Sequence, residues 1–499
     1  MALTILLAFS AVLLLLSNLV HRIRTWTTLR HIPGPRLAGW SRTWLLKKMY
    51  EAKTQVTFQQ AIEKYGPVVR IAPDWIIVND VSEVRRIWSV HSGYHRSKWY
   101  EGWRIDPSRD NILTASDNHH HHRVRSHVLP AYQPRAIVPA RERIVDEQLD
   151  KLIALIERKY ISSSQKMQPM DLARVFLYYT QDVISGVGWS SPFGYLDKDE
   201  DVHGAIHAIE SMLLMTNFIG ISPMALRLLQ SGLVDSLLPK PTDSRGIGKV
   251  LGLINSIVSQ RYGEKAVRHD DILQLFVDSK LPQNEVEAEA LVMLLGGTDT
   301  TATALRMAVF YLSTTPNAYQ TLQAEIDEAI KRGVTRPIVS DTEVRELKYL
   351  RACVQETIRM WPPISSVSPK SSDTDDFIAG VKVPAGTTVA VSSWSFMKDK
   401  AVFGEDADVF NPMRWIEAEG TPRLKEMEGS QGLAFAKGSR WECLGMKLAY
   451  MELHKVLFEL FHRYHFAMTD PIVPFEWKNY GLTIHEHMNV TVTKRNTAA

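Results

Sequence analysis

The stretch NEVEAEALVMLLGGTDTTATALRMAVFYLST, residues 284–314, carries apolar residues at helical spacing for about thirty positions before Pro316 stops the pattern. A helix that long runs about 45 Å and must cross a whole globular domain, so the fold has to be arranged around it. At its centre, where an apolar helix should be strongest, stand Gly296, Gly297, Thr298, Asp299, Thr300 and Thr301. Each glycine costs about 1 kcal/mol there relative to alanine. Two requirements can outweigh that cost. One is close packing against a second helix; the other is close approach of a bulky planar group that a Cβ would obstruct. Asp299 and Thr300 favour the second, because a carboxylate beside a hydroxyl on a buried helix is costly unless the pair handles protons or water. They are read as a proton-delivery pair.

The chain has two cysteines. Cys353 lies inside the helical run LKYLRACVQETIRM and reads as a small buried side chain. Cys443 lies in FAKGSRWECLG, bracketed by Gly438 and Gly445, just before an apolar helical pattern over 446–461. A lone thiol is by default a small hydrophobe. At a helix start, however, unpaired amides with Lys437 and Arg440 nearby are expected to lower the thiol pKa, making Cys443 a nucleophile or a soft metal ligand. In YLRACVQETIRMWPP, Glu356 and Arg359 sit three apart on an otherwise apolar helix, spaced for an ion pair. Such a pair is usually a surface feature of little energetic weight. Buried, it would need further partners, and FNPMRW offers Arg414.

With 499 residues, 45% of them hydrophobic, the chain can bury a large core. No linker, repeat or low-complexity tract follows the first forty residues, so 41–499 is expected to form a single domain. A formal net charge of +3 is too small to imply nucleic acid, and two cysteines exclude a disulfide framework and suit a reducing compartment. Residues 2–20 carry no charge and would span about 28 Å as a helix, close to the thickness of a bilayer core. Arg22, Arg24 and Arg30 follow that run rather than precede it, which argues for a transmembrane anchor over 1–21 instead of a cleaved signal peptide, with the bulk of the protein cytoplasmic. Pro33 and Pro35 then stiffen a basic, Pro-rich neck over 22–40.

Taken together, these stretches resemble the cytochrome P-450 superfamily of haem-thiolate monooxygenases, over nearly the whole chain and in that family's order. GGTDTT is similar to the oxygen-activation motif of the long central helix. ETIR is similar to the family's Glu-x-x-Arg pair, with NPMRW supplying Arg414, and FAKGSRWECLG is similar to the haem-binding loop. The resemblance implies a mainly α fold with a smaller β-rich region, and heme b (iron protoporphyrin IX) between the central helix and the Cys-loop helix. It makes Cys443 the axial iron ligand, places Gly296, Gly297, Phe435, Gly438 and Gly445 at the cofactor, assigns the proton relay to Asp299 and Thr300, and makes Glu356, Arg359 and Arg414 a structural ion-pair network.

The loop departs from the family pattern Phe-x-x-Gly-x-Arg-x-Cys-x-Gly. Here Trp441 and Glu442 both separate Arg440 from Cys443, so Trp441 stands where the propionate-binding arginine normally sits. Arg440 is kept as a cofactor-binding candidate beside His121 and Arg125, which lie one turn apart in HHHHRVRSHVLPAY, a stretch resembling the family's propionate-binding helix. Lys370 falls where a strand after the Glu-x-x-Arg helix often carries an arginine. The run His119 to His122 is not read as a metal site, because adjacent helical side chains diverge and no cluster completes a ligand set.

The activity implied is oxidation of a lipophilic small molecule with O2. No flavin or nicotinamide fingerprint is present, so electrons are expected from NADPH-cytochrome P-450 reductase, with cytochrome b5 an optional second donor. Lys437, Arg440, Lys447 and Lys455 would steer an acidic partner to the cysteine loop. Segments 99–104, 212–218, 291–295, 364–367 and 480–483 are expected to line the pocket. IPGP, FNPMRW and GMKLAYMEL are most similar to membrane-anchored fungal enzymes of secondary metabolism, which implies a single-pass protein of the endoplasmic reticulum membrane with a cytoplasmic catalytic domain. Two rivals remain open: a haem-thiolate isomerase or dehydratase without net oxygenation, and a haem sensor or carrier without turnover.

Overall fold

The computed structural model describes residues 22–106, 109–334 and 337–495 with positions 9, 16, 19 and 20, and only the backbone of 134–139. Helices dominate. Six of them carry residues discussed below: α1 (Asn118–Val128), α2 (Leu172–Trp189), α3 (Ala205–Ile221), α4 (Gln283–Thr314), α5 (Lys348–Met360) and α6 (Met446–Arg463). Their ends follow local chemistry. Asp117 starts α1 by accepting the amide of His120. Glu285 sits in the first turn of α4, and that helix ends where Pro316 opens the next one. α5 stops at Met360, ahead of Pro362 and Pro363.

The central helix expected at 284–314 is therefore present and unbroken, and it runs through the main hydrophobic core, with Val286, Leu294, Leu305 and Leu312 wholly buried. Its neighbour is α2. A Cβ on Gly297 would stand 2.6 Å from Ile184 Cδ1 of α2, and one on Gly188 of α2 would stand 2.5 Å from Met293 Cε of α4. One small residue from each helix thus lets the two approach. Gly297 meets the first of the two requirements, close helix packing. Gly296 does not: no atom lies within 4 Å of the position its Cβ would take.

The β structure is smaller, as expected. A five-stranded sheet runs in the order Val68–Ala72, Trp75–Val78, Thr388–Val391, Lys370–Ser371, His95–Arg96. Only Trp75–Val78 with Thr388–Val391 is parallel, and the outermost pairing sets Arg96 opposite Lys370. That register matters below. A hairpin of Glu476–Tyr480 and Leu482–Glu486 turns at Gly481, whose φ of +97° only glycine adopts freely.

The anchor expected over 1–21 lies outside the described residues apart from positions 9, 16, 19 and 20, and among the described residues no single helix is long and apolar enough to cross a membrane. The 22–40 segment is not a free spacer. Leu29, Ile32 and Ala38 are buried, Trp26 stacks on Trp40 at 5.0 Å, and the buried Arg70 guanidinium donates to the carbonyls of Thr25 and Trp26 at 2.9 and 3.2 Å. Those carbonyls lie in the last turn of a helical segment, where backbone acceptors lack partners of their own.

Glu356 organises the region between α5 and the cysteine loop. Wholly buried, its carboxylate accepts from Arg359 Nε and Nη2 at 2.8 Å each, Arg414 Nε at 3.0 Å, the Asn411 amide at 2.9 Å and Trp415 Nε1 at 2.9 Å. Arg359 spends its other donors on the carbonyls of Met397, Ala407 and Val409, and Arg414 reaches Asp406. A buried ion pair offsets its desolvation only when every donor is matched, and here the chain 397–415 supplies the matches. Glu356→Leu strands two buried guanidinium groups and is expected to lose about 3–5 kcal/mol of stability. An unchanged urea midpoint would show that the network contributes nothing.

Candidate active site

The cysteine loop closes on its own backbone. The Cys443 amide donates to the Phe435 carbonyl at 2.9 Å, Ala436 and Gly438 take left-handed conformations (φ +49° and +79°), and the Gly438 amide donates to Glu442 Oε2 at 2.9 Å. α6 begins three residues after the cysteine, at Met446 following Gly445. Cys443 is exposed, yet it is exposed to an internal cavity and not to the outer surface. Burial accordingly pushes its thiol pKa up, and this outweighs the amides of Gly445 and Met446 and the Arg125 guanidinium, which pull it down. The expected lowering by the helix end is real in sign but smaller than desolvation, and Arg125 takes the part assigned to Lys437 and Arg440. A metal cation at the sulfur would reverse that balance.

The same cavity is bounded by α4. Gly296, Gly297, Thr300 and Thr301 line it, together with Phe435 and Gly445 from the loop and apolar side chains such as Val128, Phe276 and Leu448. Thr300 donates its hydroxyl hydrogen to the Gly296 carbonyl at 2.6 Å, which leaves its oxygen able to accept. Asp299 does not line the cavity. It is buried on α4, where burial pushes its carboxyl up to about 6 against the pull of Arg306; Glu210 and Arg174, joined at 3.1 Å, also act on it. Thr300 and Asp299 are therefore neighbours in the chain that look toward different surroundings.

One end of the cavity is cationic. Arg96, Arg125 and Lys370 line it with His121, and among the described residues the three cations bond backbone carbonyls or a hydroxyl and form no ion pair with a carboxylate. Arg125 donates to the Glu442 carbonyl at 2.8 Å, and Lys370 lies 4.5 Å from the centre of the Trp441 ring and 3.3 Å from the Tyr100 hydroxyl. Burial and then Arg96 hold the Lys370 ammonium well below its ordinary pKa; burial pushes Arg96 down to about 10, and burial with the surrounding cations takes His121 to about 2. Arg96 Nε, His121 Nε2, Trp88 Nε1 and Trp441 Nε1 are buried without a hydrogen-bond partner among the described residues. Unpaired donors and like charges gathered at one end of a cavity form a site for an anion.

Several expected residues stand elsewhere. Arg440 does not reach the cavity: its guanidinium donates to the carbonyls of Val90 and Ser92 at 2.6 and 3.0 Å, and Trp441 faces the cavity in its place. The extra loop residue is the cause. Gly438 serves the turn and not the lining, and Glu356, Arg359 and Arg414 form the separate buried network. Lys455 is not a surface cation, because it is wholly buried between Glu142 and Asp146 at 2.6 and 2.7 Å, whereas Lys437 and Lys447 are exposed. Of the segments expected to line the pocket, Tyr100, Val292, Met293 and Ile364 do so. Arg96 was missed, since nothing around it in YHRSKWY marks it; only its pairing with Lys370 brings it to the site.

A flat group with an apolar body, two acidic arms and a metal for the thiolate matches this arrangement of sulfur, apolar walls, open space at Gly296 and unpaired cations. That is haem b, and a mainly helical fold with such a cavity defines a haem-thiolate oxidoreductase. The family model for cytochrome P450 matches residues 33–490, and the chain belongs to that family. It is a monooxygenase with haem b as its cofactor. It is 35% identical over 477 residues to cytochrome P450 monooxygenase ABA1 of Pyricularia oryzae (94% of this chain, 93% of the relative). It is 34% identical over 471 residues to cytochrome P450 monooxygenase aba1 of Botryotinia fuckeliana (93% and 92%), and 32% identical over 469 residues to cytochrome P450 monooxygenase abl1 of Leptosphaeria maculans (92% and 82%).

The two glycines should respond differently to alanine. Gly297→Ala drives a methyl into Ile184 and is expected to cost about 1–3 kcal/mol in unfolding experiments while leaving the haem spectrum unchanged. Gly296→Ala is expected to leave stability within about 1 kcal/mol and to perturb the Soret band and ligand binding.

Proposed function

We propose that this protein oxidises a lipophilic small molecule in fungal secondary metabolism, as a membrane-anchored cytochrome P450 monooxygenase. The observation that carries the reading is one cavity holding the Cys443 sulfur, the open backbone at Gly296 with Thr300, and an unpaired cationic end. In it the Cys443 sulfur would hold the haem iron, and Arg96, Arg125, Lys370 and the Trp441 indole would hold its two carboxylate arms. When bound, haem b supplies the oxygen chemistry, which a thiolate ligand favours.

The chain's own residues control protons and position. Thr300, anchored on the Gly296 carbonyl, accepts a hydrogen bond from water in the cavity. Asp299, with its pKa raised to about 6, both loads and releases a proton near neutral pH, between the Arg174–Glu210 side of α4 and the water at Thr300. Electrons come from NADPH-cytochrome P-450 reductase, with cytochrome b5 optional; Lys437 and Lys447 are the exposed cations beside the loop that suit an acidic partner. The 1–21 segment anchors the protein in the endoplasmic reticulum membrane with the catalytic domain cytoplasmic. The fungal monooxygenase relatives support the fungal setting, and the apolar cavity walls support a lipophilic substrate.

The first test is the carbon monoxide difference spectrum of the reduced protein. A long-wavelength Soret band that disappears in Cys443→Ala is expected; haem and activity surviving in that variant would overturn the ligand assignment. Product formation that needed neither reductase nor O2 would point to isomerase or dehydratase chemistry.

Asp299→Asn is expected to slow turnover by about 100-fold or more. It should also change the pH dependence of stability. The folded carboxyl titrates near 6 against an ordinary 3.8, so its contribution to stability is present below about pH 4 and is lost as pH rises through about 6. Urea midpoints for wild type and Asp299→Asn should converge at low pH relative to their difference at pH 7; parallel profiles would contradict the shift.

A further inference from the structure

Glu289 is a buried carboxyl of the cavity that the chemistry above does not use. It lies on α4, seven residues before Gly296 and eleven before Thr300, spacings that return to the same helix face. Along the helix axis it is about 10 Å from Gly296 and about 16 Å from Thr300. It lines the cavity and is only 4% exposed. Oε1 accepts from the Ile112 amide at 2.7 Å; the other oxygen has no hydrogen-bond partner among the described residues.

The surroundings give no structural use for that second oxygen. Val128, Phe276, Val292 and Met293 line the same cavity, the Tyr132 phenol and Arg96 are the polar neighbours of Glu289 there, and Arg96 makes no ion pair with it, donating instead to the Ile112 carbonyl. Holding the Ile112 amide needs one acceptor, which a glutamine would provide without a carboxyl to desolvate. Burial pushes the Glu289 carboxyl up to about 8, so at neutral pH it carries a proton and can donate. Arg96, which donates to the carbonyl of the same Ile112, disfavours an amine ligand.

We propose that Glu289 determines substrate choice: its free carboxyl oxygen hydrogen-bonds a hydroxyl or carbonyl at the far end of an otherwise apolar molecule whose reacting carbon lies near Gly296 and Thr300. The proposal rests on the haem-thiolate reading. It narrows the substrate class from lipophilic molecules in general to elongated apolar ones with an uncharged oxygen remote from the site of oxidation.

The test uses the haem-loaded full chain and a series of N-alkylimidazoles, whose ring binds the iron and shifts the Soret band, with tails of about 6–12 carbons ending in methyl, hydroxyl or ammonium. At a tail length that spans the distance to Glu289, the hydroxyl compound is expected to bind about 10-fold more tightly than the methyl one. Glu289→Leu should reduce that preference to about 2-fold or less, and Glu289→Gln, which keeps the bond to Ile112 and presents an amide donor, should retain it. Equal affinity for the two tails at every length in the wild type would overturn the proposal. So would a preference that survives in Glu289→Leu, or tighter binding of the ammonium tail, which would mean an ionised carboxylate. Plain imidazole producing no Soret shift would overturn the haem-thiolate reading itself, and this one with it.

Discussion

The structure depends on a single helix that is packed on one side and left open on another. α4 runs for 32 residues through the main core, so any space beside it has to be made at its own surface. Gly188 and Gly297 let α2 close tightly against one side, and Gly296, a residue away, leaves the backbone bare toward the cavity. Two adjacent glycines thus do opposite things. A helix turns about 100° per residue, so neighbours in sequence look at different surroundings, and the same rotation sends Thr300 to the cavity and Asp299 to the Arg306 side.

Around that opening the chain holds charge it does not neutralise. At two other buried sites the ions are matched, Glu356 with Arg359 and Arg414, and Lys455 with Glu142 and Asp146. Arg96, Lys370 and Arg125 are the contrast: Arg96 and Lys370 are buried, Arg125 is half-buried, all three line one cavity, and none is paired with a carboxylate among the described residues. Unpaired buried cations cost several kcal/mol, and an anionic ligand removes that cost. An anionic group that binds these cations only in the folded chain would therefore stabilise the fold by mass action.

The loop insertion shows how a local change is absorbed. One additional residue between Gly438 and Cys443 leaves the sulfur in the cavity, because the Cys443 amide still closes on the Phe435 carbonyl and α6 still follows. The insertion is taken up at the side chains before it. Arg440 turns to the carbonyls of Val90 and Ser92, and the Trp441 indole takes the inward position beside Lys370.

What the sequence determined by itself was the set of elements and the chemistry they carry. The long central helix, the cysteine at a helix start and the Glu356–Arg359 spacing with its need for Arg414 follow from periodicity, punctuation and residue type, which are local properties; the mainly α class came from the family resemblance that those motifs carry. What only the tertiary structure decided was which groups face one another. The pairing of Arg96 with Lys370, the burial of Lys455, the different surroundings of Gly296 and Gly297, and the net upward shift of the Cys443 thiol each depend on elements far apart in the chain. The physical reason is that burial and electrostatic environment are set by neighbours in space, and a linear pattern records only neighbours along the chain.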